Sequence, residues 1–211
     1  MIKVVNLEKR VSENRIIIRD FNLKIERGER VLISGKSGSG KTTLLKILAM
    51  LDSYDSGEFY YNGNLVKGTH DRLNARIRKY EIGYIPQNLN LIEDISAYEN
   101  IMLSLRMQKN IMNASDKICE ISGCLGIKDV LGATTKLLSR GEQQRVAIAR
   151  ACVKKSKIII ADEPTASLDE QGRDKVMRVL KNLNDLGTTI ILSSHDRRDV
   201  SFATKVVELE K

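Results

Sequence analysis

The eight residues Gly35-Lys36-Ser37-Gly38-Ser39-Gly40-Lys41-Thr42 have the spacing G-x-x-x-x-G-K-[ST], and each residue type in it suits phosphate. Glycines let successive backbone N–H groups converge on anionic oxygens, the lysine adds a point charge, and the hydroxyl reaches Mg²⁺. The chemistry predicted is capture of a nucleoside triphosphate by Gly35, Ser37, Gly38, Ser39, Gly40, Lys41, Thr42 and the adjoining Thr43, with Thr42 also on the metal.

A second cluster lies far along the chain. Ile158-Ile159-Ile160-Ala161-Asp162-Glu163 is an apolar run that ends in two adjacent carboxylates. At the tip of a strand beside a phosphate loop an acidic residue holds Mg²⁺, and Asp162 is placed to do so. Glu163, one step on, points elsewhere and suits a general base that takes a proton from an attacking water, a contribution of roughly 3–5 kcal/mol. The plain alternative for Glu163 is a solvated charge at a strand end. Pro164 stops the strand and fixes the turn.

Strands must carry both clusters to one edge, and helices must aim at it. Arg30 to Ser34 reads as a strand and Thr42 to Met50 as a helix whose N-terminal dipole faces the anion. Before them, Ile2 to Leu7 and Phe21 to Ile25 read as strands, the second alternating apolar and polar residues, with a turn at Glu26 to Glu29. Gly57 to Tyr61 is a further strand, closed by a hairpin turn at Asn62-Gly63. A polar helix is expected at Asp71 to Tyr80, then a short strand at Ile82 to Ile85 that Pro86 and Gln87 terminate. From Asn88 to Lys136 the signal is helical, with segments at Ser96 to Met107 and Ser115 to Cys124. A helix at Glu142 to Val153, a strand at Lys157 to Ala161, a helix at Gly172 to Leu186 and strands at Thr188 to Ser193 and Lys205 to Leu209 follow. The pattern predicts an α/β fold: a phosphate-loop core with a largely parallel, buried sheet and an antiparallel β part near the N-terminus. One domain is expected over 1–211, its core formed by 1–87 and 137–211 and a helical subdomain inserted at 88–136.

Composition narrows the classes. At 211 residues the chain is too short for two full α/β domains. Hydrophobic residues at 42% and charged residues at 29% are ordinary for a globular protein, and no apolar run approaches the length of a membrane span. The N-terminus passes directly into a strand pattern with no signal-peptide pattern, which predicts residence in the cytosol. The net charge of +8 is scattered along helices, with no basic run or aromatic-interleaved patch, so no nucleic-acid partner is expected. Cys119, Cys124 and Cys152 are odd in number and lack ligand spacing, which predicts reduced thiols and no zinc.

Leu138-Ser139-Arg140-Gly141-Glu142-Gln143-Gln144-Arg145-Val146-Ala147-Ile148-Ala149-Arg150-Ala151 strongly resembles the signature segment of the ATP-binding-cassette (ABC) ATPases. The other marks of that family follow in its order over nearly the whole chain. Gln87 is similar to the family's Q-loop glutamine, Ser167-Leu168-Asp169 to its D-loop, and His195 to its switch histidine. The resemblance implies that the ligand is ATP with Mg²⁺, that Thr42, Gln87 and Asp162 serve the metal, and that Glu163, His195 and Gln87 serve hydrolysis. It also implies a head-to-tail dimer, with the same chain or a paralogue, in which Ser139, Gly141 and the D-loop Asp169 of one subunit complete the ATP site of the other. A separate membrane permease is the implied partner, and the cytoplasmic face of the cell membrane the implied location.

Within the family, Tyr84 to Ile92 followed by Ala97 to Ile101 resembles the group serving lipoprotein release, macrolide export and antimicrobial-peptide transport. An ATP-driven regulator of a membrane protein, as in cell division, and a soluble ABC protein acting on DNA or ribosomes are the alternatives. Two departures stand out. The signature usually reads L-S-G-G-Q, whereas here Arg140 replaces the first glycine and Glu142 the glutamine. Arg140 is expected either to add charge near ATP and offset Glu142, or to point to solvent. Val11 stands where the family often stacks an aromatic on adenine, which predicts modest affinity and weak discrimination of ATP from GTP.

Overall fold

Strands that are apolar at consecutive positions must be covered on both faces, because strand side chains alternate with a period of two. The computed structural model describes residues 1–12, 15–69, 71–106, 108 and 112–209. In chain order its elements are β1 (Ile2–Ser12), β2 (Arg15–Ile25), β3 (Arg30–Ser34), α1 (Lys41–Leu48), β4 (Ser56–Tyr61), β5 (Asn64–Leu65), α2 (Arg72–Tyr80), β6 (Ile82–Ile85), α3 (Ala97–Arg106), α4 (Ala114–Leu125), α5 (Arg140–Cys152), β7 (Ile158–Asp162), α6 (Glu170–Asp185), β8 (Thr189–Ser193) and β9 (Lys205–Glu208), joined in places by short 3₁₀ turns. The helix expected over Ser96 to Met107 is α3; Met107 lies outside the described residues.

Antiparallel and parallel pairings fall in separate sheets. β2-β1-β4-β5 form a four-stranded antiparallel sheet, and β6-β7-β8-β3-β9 a five-stranded parallel one. Both strands of the first hairpin run longer than the short apolar segments foretold. Their outer halves are exposed or half-buried except at Ile18, which is buried, so the period-two signal fades there while the ladder continues.

Two apolar clusters lie on either side of the parallel sheet. Val31, Ile33, Ile158, Ile160 and Ile191 face α1 and the antiparallel sheet, while Leu32, Ile159, Ala161, Ile190 and Leu192 face α3 to α6. Helix α1 lies in the first cluster, where Leu44, Leu45, Ile47 and Leu48 are all buried. Between β6 and β7 the named elements are helices, with one isolated bridge from Ser96 to Thr134.

Sheet order decides where the chemistry goes. In a parallel sheet every strand presents its carboxyl end at the same edge, and ligands bind in the crevice outside that edge. The neighbours β6, β7, β8 and β3 therefore deliver Gln87, the Asp162-Glu163 pair, His195 and the phosphate loop to one edge.

Candidate active site

The phosphate loop leaves β3 and turns sharply into α1. Gly35 and Gly40 have φ of 144° and 97°, a region that L side chains avoid. At Gly35 space is a second constraint, since an added Cβ would lie 2.6 Å from the Leu209 carbonyl oxygen and 2.8 Å from Ser39 Oγ. Gly40 is the N-cap of α1 and supplies no side-chain cap, so the first-turn N–H groups, including those of Lys41, Thr42 and Thr43, keep their donor capacity. Lys41 is buried, and its Nζ donates to the carbonyls of Gly35 at 2.8 Å and Lys36 at 3.1 Å. An ammonium has three donors, so these bonds brace the loop and leave one to spare. Ser37 and Gly38 are exposed at the tip, whereas Ser39 is buried and its hydroxyl has no partner among the described residues.

At the next strands a serine organises the carboxylates. Asp162 pairs with Ser193 across β7 and β8, and Ser193 Oγ donates to Asp162 Oδ1 at 2.7 Å while accepting from the Glu163 N–H at 3.0 Å. Asp162 is 2% exposed, and its Oδ2 has no hydrogen-bond partner among the described residues. Glu163 has a φ of 49°, a left-handed conformation that costs a non-glycine residue of order 1–2 kcal/mol. That bend turns its side chain away from the strand, and Glu163 Oε1 meets His195 Nε2 at 2.9 Å. The glutamate side chain is 19% exposed and the histidine 50%, which leaves the pair reachable from solvent. Gln87 follows β6, is exposed, and makes no hydrogen bond to the described residues.

The signature segment opens α5. Ser139 caps α5 in a full capping box: its N–H and Oγ donate to Glu142 Oε2 at 2.8 and 2.6 Å, and Glu142 N–H donates to Ser139 Oγ at 3.3 Å. These bonds, with the charge of Arg145 as a lesser cause, hold the Glu142 carboxyl below its ordinary value. Of the two expectations for Arg140, the structure shows it exposed with no ion pair to Glu142 among the described residues, while Glu142 is bonded to Ser139. The helix also starts two residues earlier than expected, since Ser139 and Glu142 have the S-x-x-E cap spacing. The closest groups to the open side of Gly141 belong to Arg145, Leu168 and Ser167. Asp169 caps α6, its Oδ1 accepting from the Gly172 N–H at 2.9 Å.

Two residues missing from the expected set help to build the site. Ser193 is one, legible only once β7 and β8 are known to be neighbours. The other is Gln144, buried in α5, whose Nε2 donates to the Pro164 carbonyl at 3.0 Å and so ties α5 to the turn after Glu163. A cavity of about 640 Å³ opens elsewhere, between Lys117, Cys152, Leu183 and Thr188. None of the expected site residues lines it, so size does not mark the chemistry here.

Comparison with known proteins settles the family. The sequence profile of the ABC transporter family matches residues 18–166. The chain belongs to the ABC transporter family. An ABC transporter ATP-binding protein of Methanocaldococcus jannaschii, MJ1508, is 41% identical over 198 residues, which cover 92% of this chain and 87% of that one. The macrolide export ATP-binding/permease protein MacB of Campylobacter jejuni is 38% identical over 211 residues; the match takes in all of this chain but 33% of MacB, so the chain spans about a third of that relative. The dimeric post-hydrolysis structure of the ATP-binding cassette MJ0796 bound to ADP and Pi superposes with a TM-score of 0.92 at 34% identity, covering 100% of this chain and 94% of that one.

As an ABC cassette, the chain binds ATP with Mg²⁺ and hydrolyses it. The residues present fit that group. An open helix N-terminus with a buried lysine suits the phosphates. A buried carboxylate, Asp162, with one oxygen unpartnered among the described residues, and the hydroxyl of Thr42 at the start of α1 suit Mg²⁺, which keeps several waters and takes phosphate oxygens as ligands. No helix among the described residues is long and apolar enough to cross a membrane.

Proposed function

We propose that this cassette drives a separate membrane permease by closing on ATP as a head-to-tail dimer, with a second copy or a paralogue, and reopening after hydrolysis. Its site is divided in roles. Gly35, Ser37, Gly38, Ser39, Gly40, Lys41, Thr42 and Thr43 hold the phosphates, while Thr42, Asp162 and Gln87 serve Mg²⁺, which when bound neutralises charge on the phosphate oxygens. Glu163 accepts the proton of the attacking water, His195 orients that carboxylate and steadies the terminal phosphate, and Gln87 reports the state of the site. Ser139, Gly141 and Asp169 complete the site of the facing subunit. The dimeric cassette found for MJ0796 supports the arrangement, as does the setting of Gly141, whose nearest groups are those of Arg145, Leu168 and Ser167 and not of the phosphate loop.

The observation that carries the chemistry is the Glu163–His195 contact at 2.9 Å, beside an Asp162 carboxylate that Ser193 holds by one oxygen only. Replacing Glu163 by Gln keeps the shape and removes the base. Steady-state ATPase activity of Glu163→Gln is expected to fall by about 10²- to 10⁴-fold with ATP still bound, and activity within tenfold of the parent would remove Glu163 from this role.

The insert at 88–136 forms the docking subdomain in this scheme, and its surface with Gln87 to Glu99 receives a cytoplasmic loop of the permease at the inner face of the membrane. The likeness to MacB favours export or release of a peptide, lipoprotein or drug-like substrate. Co-purification with a permease from detergent-solubilised membranes tests that placement.

A further inference from the structure

Two segments leave the carboxyl ends of β7 and β8 and meet again at a buried ion pair. From β7 the chain passes Glu163 and Ser167-Leu168-Asp169 into α6. From β8 it passes His195 and Asp196 into the 3₁₀ turn Arg197–Ser201. Arg173, one turn into α6, donates through Nη2 to Oδ1 of Asp199 in that turn at 2.5 Å, and its Nε lies 3.4 Å from Asp196 Oδ2. Asp199 is 1% exposed and the Arg173 side chain 13%.

Stability is a poor reason for such a pair. Two charges taken out of water recover the cost only when every donor and acceptor is satisfied, and apolar residues of similar volume often serve the fold as well. Here Arg173 Nε and Asp199 Oδ2 have no hydrogen-bond partner among the described residues. What the pair does fix is geometry.

On one side it grips the segment that carries His195. Asp196 caps the 3₁₀ turn by accepting from the Arg198 N–H at 2.9 Å, and its own N–H donates to Ser194 Oγ at 2.9 Å. The Arg198 guanidinium forks onto the Asp196 carboxylate and is the first cause holding that group down to about 2. On the other side it grips the start of α6, where the Arg173 N–H donates to the Asp169 carbonyl at 2.9 Å. That first turn is itself seated closely. A Cβ on Gly172 would lie 2.8 Å from Asp169 Oδ1 and 3.1 Å from Arg145 Nη1 of α5.

We propose that Arg173 is a positioning residue: through Asp199 and Asp196 it fixes the His195 segment to the first turn of α6, so that His195 and the loop Ser167-Leu168-Asp169 move as one body. A displacement of that loop on closure then reaches the contact between His195 and Glu163 instead of being absorbed in the intervening turn. The role presupposes the assignments of Glu163 and His195 made above.

The double variant Arg173→Met/Asp199→Leu replaces the ion pair with an apolar pair, so the melting temperature is expected to hold or rise. With the positioning contact gone, kcat for ATP hydrolysis is expected to fall about tenfold while KM for ATP stays within about twofold. In the nucleotide-free protein, the ¹⁵N resonance of His195 Nε2 is expected to move to that of a solvated imidazole. A kcat within twofold of the parent together with an unmoved resonance overturns the proposal. Should the double variant not fold, Arg173→Lys keeps the charge and loses the fork; a kcat lower by about threefold with the same spectral shift supports the role, and an unchanged kcat and resonance overturn it. Hydrolysis that survives Glu163→Gln sinks the chemical assignment alone, since the His195 resonance still reads the latch.

Discussion

Helices α1 and α5 both begin with residues that the family resemblance places on ATP, yet their N-termini are built in opposite ways. At α1 the cap is Gly40, left-handed and without a side chain, no acidic residue lies in the first turn, and no side chain caps the first N–H groups. At α5 the cap is Ser139, and Glu142 closes a capping box over the same kind of N–H groups. One helix end is left unfinished by its own chain and is completed by an anion. The other is half finished by its own chain: the box ties up the N–H groups of Ser139 and Glu142, and those of Arg140 and Gly141 between them are left for a partner's ATP. An open N-terminus offers its whole first turn to an anion, whereas a boxed one offers only the N–H groups between the two ends of the box.

The largest break in that comparison comes at the open end. Lys41 is the only side-chain cation buried in the phosphate loop, and it braces Gly35 and Lys36 while keeping a donor free. Lys41→Met is expected to raise the Kd for ATP about 100-fold, or ~2.7 kcal/mol, with little change in the melting temperature because α1 is anchored by its buried leucines and isoleucine. Isothermal titration with ATP checks this, and a Kd within threefold of the parent would show that the backbone alone carries the phosphates.

A smaller effect is expected at the closed end. Glu142→Ala removes the reciprocal bonds with Ser139, a loss of about 1 kcal/mol of stability, visible as faster amide exchange in the first turn of α5 and not of α1. The pH dependence has a definite sign. Because the folded carboxyl of Glu142 titrates below its ordinary 4.5, its contribution is full above that value and disappears as the pH falls through the lowered folded one. First-turn exchange in α5 should therefore rise in that acid window, and α1, with no carboxylate cap, should show no matching step. Parallel behaviour of both helices would erase the distinction.

The asymmetry was half visible in the chain itself. The phosphate loop was legible because glycine, lysine and threonine at fixed spacing have few other uses, and the strand β3 before it emerged with the bounds foretold. Asp162 and Glu163 were legible as a strand end. Their management was not, because Ser193 becomes relevant only through the register Asp162 to Ser193 between strands some thirty residues apart. Glu142 is the instructive miss. Compared with the family signature it looked like a substituted residue in need of a counter-charge, yet S-x-x-E read locally is a helix start, and the local spacing names its partner. The outer halves of β1 and β2 escaped for a different reason: Glu8 to Ser12 is half-buried or exposed and carries no alternation, and Ile16-Ile17-Ile18 is a continuous apolar run instead of an alternating one.

The smallest expected effect concerns Arg140, the first residue of α5. It is exposed, and Glu142 does not depend on it. A cation at a helix N-terminus opposes the dipole by a few tenths of a kcal/mol to about 1, so attraction to a facing ATP has to exceed that to be felt at all. Both terms act through water and are screened within a Debye length of about 8 Å at physiological salt. Arg140→Gly is therefore expected to change ATP-driven dimer affinity by less than about threefold, or ~0.7 kcal/mol, when measured by analytical ultracentrifugation in a hydrolysis-deficient Glu163→Gln background. A tenfold loss that fades as salt is raised would mean instead that Arg140 reaches the partner's phosphates, and the closed N-terminus of α5 would then carry its charge beside the cap instead of through it.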